Sequence, residues 1–163
     1  MKTLYDEIQI EKKKMINEEY YKLLLQDKKK FNLSEIDDAK FEKIRYNFSA
    51  SGSNKPIATL IWYMNLNKLK NTFNPEVLKM PIVLDSPTNA EMDDNKKHKI
   101  WQYLLDNMTD NNQMIVSALE FNAELFKKAG DCNIITLTNA KYNLLNQSDY
   151  DKYEGLLNSL TSL

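Results

Sequence analysis

Apolar positions along residues 2–30 recur at roughly helical intervals, with no Gly or Pro to interrupt them. Leu4, Ile8, Met15, Ile16, Tyr20, Leu23 and Leu24 form an imperfect stripe in a run rich in Glu, Lys and Ile, which predicts one long helix. The stripe fits both the stub of a coiled coil and a helix packed on a domain. Residues 32–38 break the pattern, and Ser34 or Asp37 is placed to cap a short helix around 39–44. A small polar segment, Phe48 to Pro56, then feeds Ile57 to Leu69, which is apolar on nearly every face. A polar turn followed by Pro in the first turn predicts a helix start, and the all-round apolar character predicts burial. Residues 71–79 read as a loop.

Beyond that loop the period changes. Ile82-Val83-Leu84-Asp85 is too short for a helix and is fenced by Pro81 and Pro87, so it predicts a buried strand of the parallel kind. Thr88 to Asp94 is a polar turn whose aspartates can cap a helix over 95–108, with Ile100, Trp101, Leu104, Leu105 and Met108 facing inward. Gln113 to Ser117 predicts a second buried strand. Phe121 to Ala129 predicts a short helix closed by Gly130, and Asn133 to Leu137 a third, peripheral strand. Residues 150–160 predict a terminal helix with Tyr153, Leu156, Leu157 and Leu160 on one face. Helices followed by β-α-β-α-β and a last helix predict an α/β fold with right-handed crossovers. The division expected is a helical, coiled-coil-like segment over 1–46 and an α/β lobe over 47–163.

Composition narrows the function classes. The 163 residues are 42 % hydrophobic and 28 % charged, ordinary for a globular chain. No apolar run approaches membrane-spanning length, and the amino terminus lacks a signal-peptide core, so a cytoplasmic protein without a membrane partner is expected. With 22 basic and 23 acidic residues the net charge is −1, which gives no polycation for nucleic acid. Lys12-Lys13-Lys14 and Lys28-Lys29-Lys30 sit among acidic residues and read as solvated helix faces. Cys132 is the single cysteine and His98 the single histidine; an internal disulfide and a zinc constellation are excluded. Cys132 reads as a buried thiol and His98 as a surface residue.

Candidate chemistry lies at two places. The corner Ser51-Gly52-Ser53-Asn54-Lys55 opens a buried helix, where free N–H groups and the helix dipole favour an anion, although a plain N-cap has the same sequence. Asp85 ends a strand, where α/β sheets meet cations and phosphates, although an Asp in a turn before Pro also fits.

In order and spacing these pieces resemble the carboxyl-terminal half of the ATPase head of SMC-type ABC ATPases, P-loop NTPases whose heads are split by a long coiled coil. Ala50-Ser51-Gly52-Ser53-Asn54-Lys55 resembles the family's signature motif, Ile82-Val83-Leu84-Asp85 its Walker B strand, Met92-Asp93 the end of its D-loop, and Gln113 to Ser117 the strand leading to its switch histidine. The resemblance spans roughly 47–138, with the long first helix where a coiled-coil arm would enter. It implies a partial P-loop-NTPase-like lobe with a short, mainly parallel sheet, and a composite site for ATP and Mg²⁺ shared with a partner lobe. In that site Ser51, Gly52, Ser53 and Lys55 face nucleotide, and Asp85 acts through Mg²⁺. It further implies a head-to-head dimer, and DNA contact, if any, through the whole complex.

The departures are equally specific. Ser86 stands where the family has its catalytic Glu, and a serine is a poor base at neutral pH; Glu91 is the nearest substitute carboxylate, with Asp93 behind it. The switch histidine is replaced at about Ala118, with Glu120 nearby. No G-x-x-x-x-G-K-[ST] loop occurs, and three glycines cannot assemble one. The expectation is a partial ATPase working only with a Walker A-containing partner, in DNA maintenance or defence against foreign DNA. Because the chain begins with its own methionine, a subunit, the remnant of a broken gene and an excised lobe all remain open. A non-catalytic interaction module derived from such a lobe is the alternative. A phosphotransferase using Asp85 as nucleophile is a third reading, opposed by Pro87 where a second acid is wanted.

Overall fold

The structure of the chain, a computed structural model, describes residues 2–88, 92–109, 112–119, 121–136, 148, 151–155 and 158. The chain forms two compact units, 1–128 and 129–163. Among the described residues no helix is long and apolar enough to cross a membrane.

The first unit opens with α1 (Lys2–Phe31). The packed reading holds for the carboxyl-terminal half of its stripe, and the amino-terminal half is open to solvent. Leu4, Tyr5, Ile8, Ile10 and Met15 are exposed, whereas Tyr20, Leu24 and Phe31 are buried in the core. Lys28, in the carboxyl-terminal turn, donates to Asp38 Oδ1 and to the Ile36 carbonyl, both at 2.5 Å. A basic group there also suits the negative end of the helix dipole. The expected short helix is a 3-10 turn, Asp38–Phe41, capped by Asp37, whose side chain accepts from Ala39 N.

The central helix α2 (Asn54–Phe73) runs longer than its apolar core. It buries Ile57, Ala58, Leu60, Ile61, Met64, Asn65 and Leu69 and packs against α1. Trp62 and Tyr63 stay partly exposed on its outer flank. Each fully buried aliphatic side chain contributes about 1.5–3 kcal/mol, which makes α2 the keel of this unit.

Two strands follow, β1 (Ile82–Asp85) and β2 (Met114–Ser117), joined by α3 (Asp94–Asp106) in a β-α-β unit. They pair in parallel, with Ile82 opposite Met114 and Asp85 opposite Ser117. Asp93 caps α3 by accepting from Lys96 N at 2.8 Å. The inward face of α3 is Ile100, Tyr103, Leu104 and Leu105, with Trp101 and Met108 half-buried.

Several expectations are corrected. The strands are covered on one face: Ile82 is buried and Leu84, Met114 and Val116 pack on the core, while Val83 is 63 % and Ile115 50 % exposed. Residues 133–136 are not a strand, because β-branched side chains make no strand without a ladder partner, and Leu137 lies outside the described residues. Among the described residues the sheet therefore has two strands. The predicted helix over 121–129 is two 3-10 turns, Ala123–Leu125 and Lys127–Asp131. The first is started by Asn122, whose side chain accepts from Glu124 N and tightens the backbone into a local turn. Gly130 lies inside the second turn without a positive φ.

In the second unit Cys132 is half-buried, and burial pushes its thiol pKa up. Residues 151–155 are helical, as expected of the terminal helix; Leu156, Leu157 and Leu160 of its predicted stripe lie outside the described residues.

Candidate functional site at the strand ends and the serine corner

Hydrogen bonds gather the candidate residues into two clusters. The first is at the carboxyl ends of β1 and β2. The Ser117 hydroxyl donates to Asp85 Oδ1 at 2.5 Å, and the Ser86 hydroxyl donates to the same oxygen at 3.1 Å. The Ser86 N–H donates to both the carbonyl and the hydroxyl oxygen of Ser117, at 3.0 and 3.2 Å. Asp85 is exposed to solvent and does not point into the core. The Ser117 and Ser86 hydroxyls hold its carboxyl below the usual carboxylate range, since both bonds favour the ionised form. Ser86 has φ 48°, a left-handed backbone that non-glycine residues seldom adopt.

The second cluster is the serine corner. Gly52 has φ 52° and shapes the turn into α2. Ser53 occupies the N-cap position, yet its side chain makes no capping bond. Its hydroxyl instead accepts from Lys96 Nζ at 2.7 Å, tying the start of α2 to the first turn of α3. Asn54 donates to Glu35 Oε1 at 2.8 Å, which with the neighbouring Lys96 and Lys28 charges lowers the Glu35 carboxyl pKa. Ser51, Gly52 and Lys55 are exposed, so the corner is not walled off. A cavity of about 200 Å³ lies beside it, lined by Phe31, Asn54, Asp93, Asn95, Lys96 and Lys99.

Glu91 and Glu120 lie outside the described residues. Asp93 is engaged as the α3 cap. His98 is exposed, as expected, and stacks on Phe126 with ring centroids 5.0 Å apart. Sequence reasoning noted a small polar residue ending the second strand but missed what Ser117 does, and it missed Lys96. The first was recoverable from strand pairing, which sets Asp85 opposite Ser117; the second needed the packing of α3 on the corner.

The chemistry of these donors bears on what they can hold. Asp85 offers an ionised carboxylate with no hydrogen bond to Oδ2 among the described residues. That fits a hard cation such as Mg²⁺, which accepts one carboxylate and otherwise keeps water or phosphate oxygens. Among the described residues no three His, Cys, Asp or Glu side chains cluster as a metal site, so the remaining ligands would come from elsewhere. For a nucleotide the chain supplies the exposed helix corner and no phosphate-cradling loop.

The chain is 29 % identical over 148 residues to Lamassu protein LmuB of Bacillus cereus (strain VD014), a match that covers 91 % of this chain and 26 % of that protein. It thus spans about a quarter of the length of this curated relative. No protein-family model matches the chain. No solved structure matches it either.

Proposed function

We propose that this chain is the carboxyl-terminal, signature-plus-Walker B half of an SMC-like ATPase head, acting on ATP only with a Walker A-containing partner lobe. The single observation that carries the reading is the placement of Asp85. It is an ionised, solvent-facing carboxylate at the carboxyl end of a parallel strand, anchored from the neighbouring strand by Ser117. Asp85 would hold Mg²⁺ and its water shell. Ser51, Gly52 and Lys55 are exposed at the α2 amino end, with Ser53 half-buried beside them. The Asn54 and Lys55 N–H groups are already bonded to the Ser51 and Gly52 carbonyls, so the helix dipole, the serine hydroxyls and the Lys55 ammonium would stabilise phosphate charge there. Mg²⁺·ATP, when bound, supplies the phosphoryl group and the cation that screens it. Ser86 turns its hydroxyl to Asp85 and cannot replace a carboxylate base. Turnover therefore requires Glu91 or a partner residue, and is slow without one.

The motif resemblance supports an SMC-like assignment, and we read the similarity to Lamassu protein LmuB as favouring defence against foreign DNA over DNA maintenance. The test is co-expression with a Walker A-bearing lobe encoded beside it. ATP-dependent association or turnover that disappears with Ser51→Arg and with Asp85→Ala is expected; association indifferent to both changes refutes the reading. A second reading, a non-catalytic interaction module built on the same scaffold, is favoured by Ser86 at the position of the usual Glu. It predicts a partner complex that forms equally with and without ATP.

A further inference from the structure

The strand-end cluster contains more hydrogen bonding than the sheet needs. The β1–β2 ladder is already continued past Asp85 by the backbone bond from Ser86 N–H to the Ser117 carbonyl. The Ser117 hydroxyl is surplus to that ladder, and it is aimed at the carboxylate. It acts in both directions, donating to Asp85 Oδ1 and accepting from the Ser86 N–H. The Ser86 hydroxyl converges on the same carboxylate oxygen, from a backbone in the left-handed region. A plain turn would not need two hydroxyls on one oxygen and a strained residue to bring the second there. The result is one-sided: Oδ1 is taken twice, and Oδ2 has no hydrogen bond among the described residues.

We infer that Ser117 is a positioning residue for Asp85: reaching across from β2, it locks the carboxylate in one rotamer with Oδ1 bound and Oδ2 turned out to a divalent cation. The inference rests on the proposed reading of Asp85 as a cation-facing group and adds to it the residue that sets the group's orientation. Outer partners of this kind fix a ligand before the metal arrives, so the cation meets an oriented oxygen and not a swinging side chain. The register makes Ser117 the side chain directly opposite Asp85, and its exposed position leaves room for a larger residue.

The full chain carries the test, with Ser117→Thr keeping the hydroxyl and Ser117→Val, of nearly the same shape, removing it. Scalar couplings across the Asp85 Cα–Cβ bond, measured by nuclear magnetic resonance, report its rotamer. Added Mn²⁺, with no nucleotide, reports the site by broadening the Asp85 and Ser86 amide signals. The expected result is one rotamer in the native chain and in Ser117→Thr, and averaged couplings in Ser117→Val. The Mn²⁺ midpoint is expected to rise about tenfold in Ser117→Val, in line with the loss of an outer-shell partner, and to return with Ser117→Thr. Broadening that disappears in Asp85→Asn yet is untouched in Ser117→Val overturns the role of Ser117 alone. Broadening unchanged in Asp85→Asn overturns the cation reading of Asp85, and the role of Ser117 with it.

Discussion

Tyr103→Phe should destabilise the first unit through a single lost hydrogen bond, because the phenol belongs to a buried polar junction of three helices. Asp27 on α1 is 8 % exposed, and its Oδ2 accepts from Tyr103 on α3 at 2.6 Å and from the Asn65 amide on α2 at 2.7 Å. Removing the phenolic O–H leaves the carboxylate with one of these two donors in a site closed to water. A hydrogen bond to a charged group of this kind contributes about 1.5–3 kcal/mol, a large part of a domain's stability. Asp27→Ala is worse, because it strands both donors and opens a cavity; about 3–5 kcal/mol is expected, as for a broken buried pair. Replacing the junction as a whole should do little harm. Asp27→Leu/Asn65→Leu/Tyr103→Phe is expected within about 1 kcal/mol of the native chain or above it, since well-packed apolar groups often equal a buried polar cluster. Urea unfolding followed by the fluorescence of Trp62 and Trp101, both in the first unit, measures this. With a slope of about 2 kcal/mol per molar urea, the midpoint should fall by about 1 M for Tyr103→Phe and about 2 M for Asp27→Ala. A Tyr103→Phe midpoint unchanged, or a triple variant that fails to fold, refutes the argument.

Three further outcomes are expected. Gly52→Ala should cost about 1 kcal/mol in the same urea assay, because φ is 52° while an added Cβ meets nothing within 4 Å, so the cost is backbone strain alone; Gly52→Asn should cost less. Burial pushes the Tyr20 phenol up to about 12, and burial with the adjacent Asp27 carboxylate pushes Tyr103 further in the same direction. Raised pKa values mean that this stability is complete below the unfolded phenol value of about 10 and is lost as pH rises above it; thermal unfolding between pH 9 and 12 should show a shallower alkaline loss in Tyr20→Phe and Tyr103→Phe. Val83→Lys with Ile115→Lys should leave the urea midpoint of the isolated chain nearly unchanged, since both side chains are already exposed, while abolishing co-purification with a Walker A-bearing lobe.

Helices were legible where local chemistry decides them. Residues 2–30 lack breakers, and α1 spans Lys2–Phe31; Asp93 in a polar turn before an apolar stripe gave α3 its cap. The end of β1 at Asp85 was equally plain, because two prolines leave room for little else. Long-range pairing decided what was missed. Asp27 stands directly before Lys28-Lys29-Lys30, a run that reads as a solvated face, but its own partners lie 38 and 76 residues away. A signal did exist: Tyr20, Leu24, Asp27 and Phe31 follow the helical spacing of a single face, which places the carboxylate on the buried stripe. The run Asn133 to Thr136 shows the converse, with strand propensity and no strand.

The two strands carry a different kind of information, about the face they leave open to solvent. A strand covered on one face alternates apolar and polar side chains, whereas a parallel strand covered on both is apolar throughout. Ile82-Val83-Leu84 and Met114-Ile115-Val116 are apolar throughout, yet their burial alternates, with Val83 and Ile115 left open to water. Covering the exposed part of those two side chains would gain about 1–2 kcal/mol each, and a two-stranded ladder alone is marginal. No charge or proline interrupts either apolar run to blunt the face against association. The polar residues begin one register position later, at Asp85 and Ser117, where the proposed site begins. The change from an apolar face to a hydroxyl-held carboxylate is thus abrupt and occurs on both strands at once. That is the composition of strands apolar on both faces, one face open among the described residues, with a polar, solvent-facing carboxyl edge.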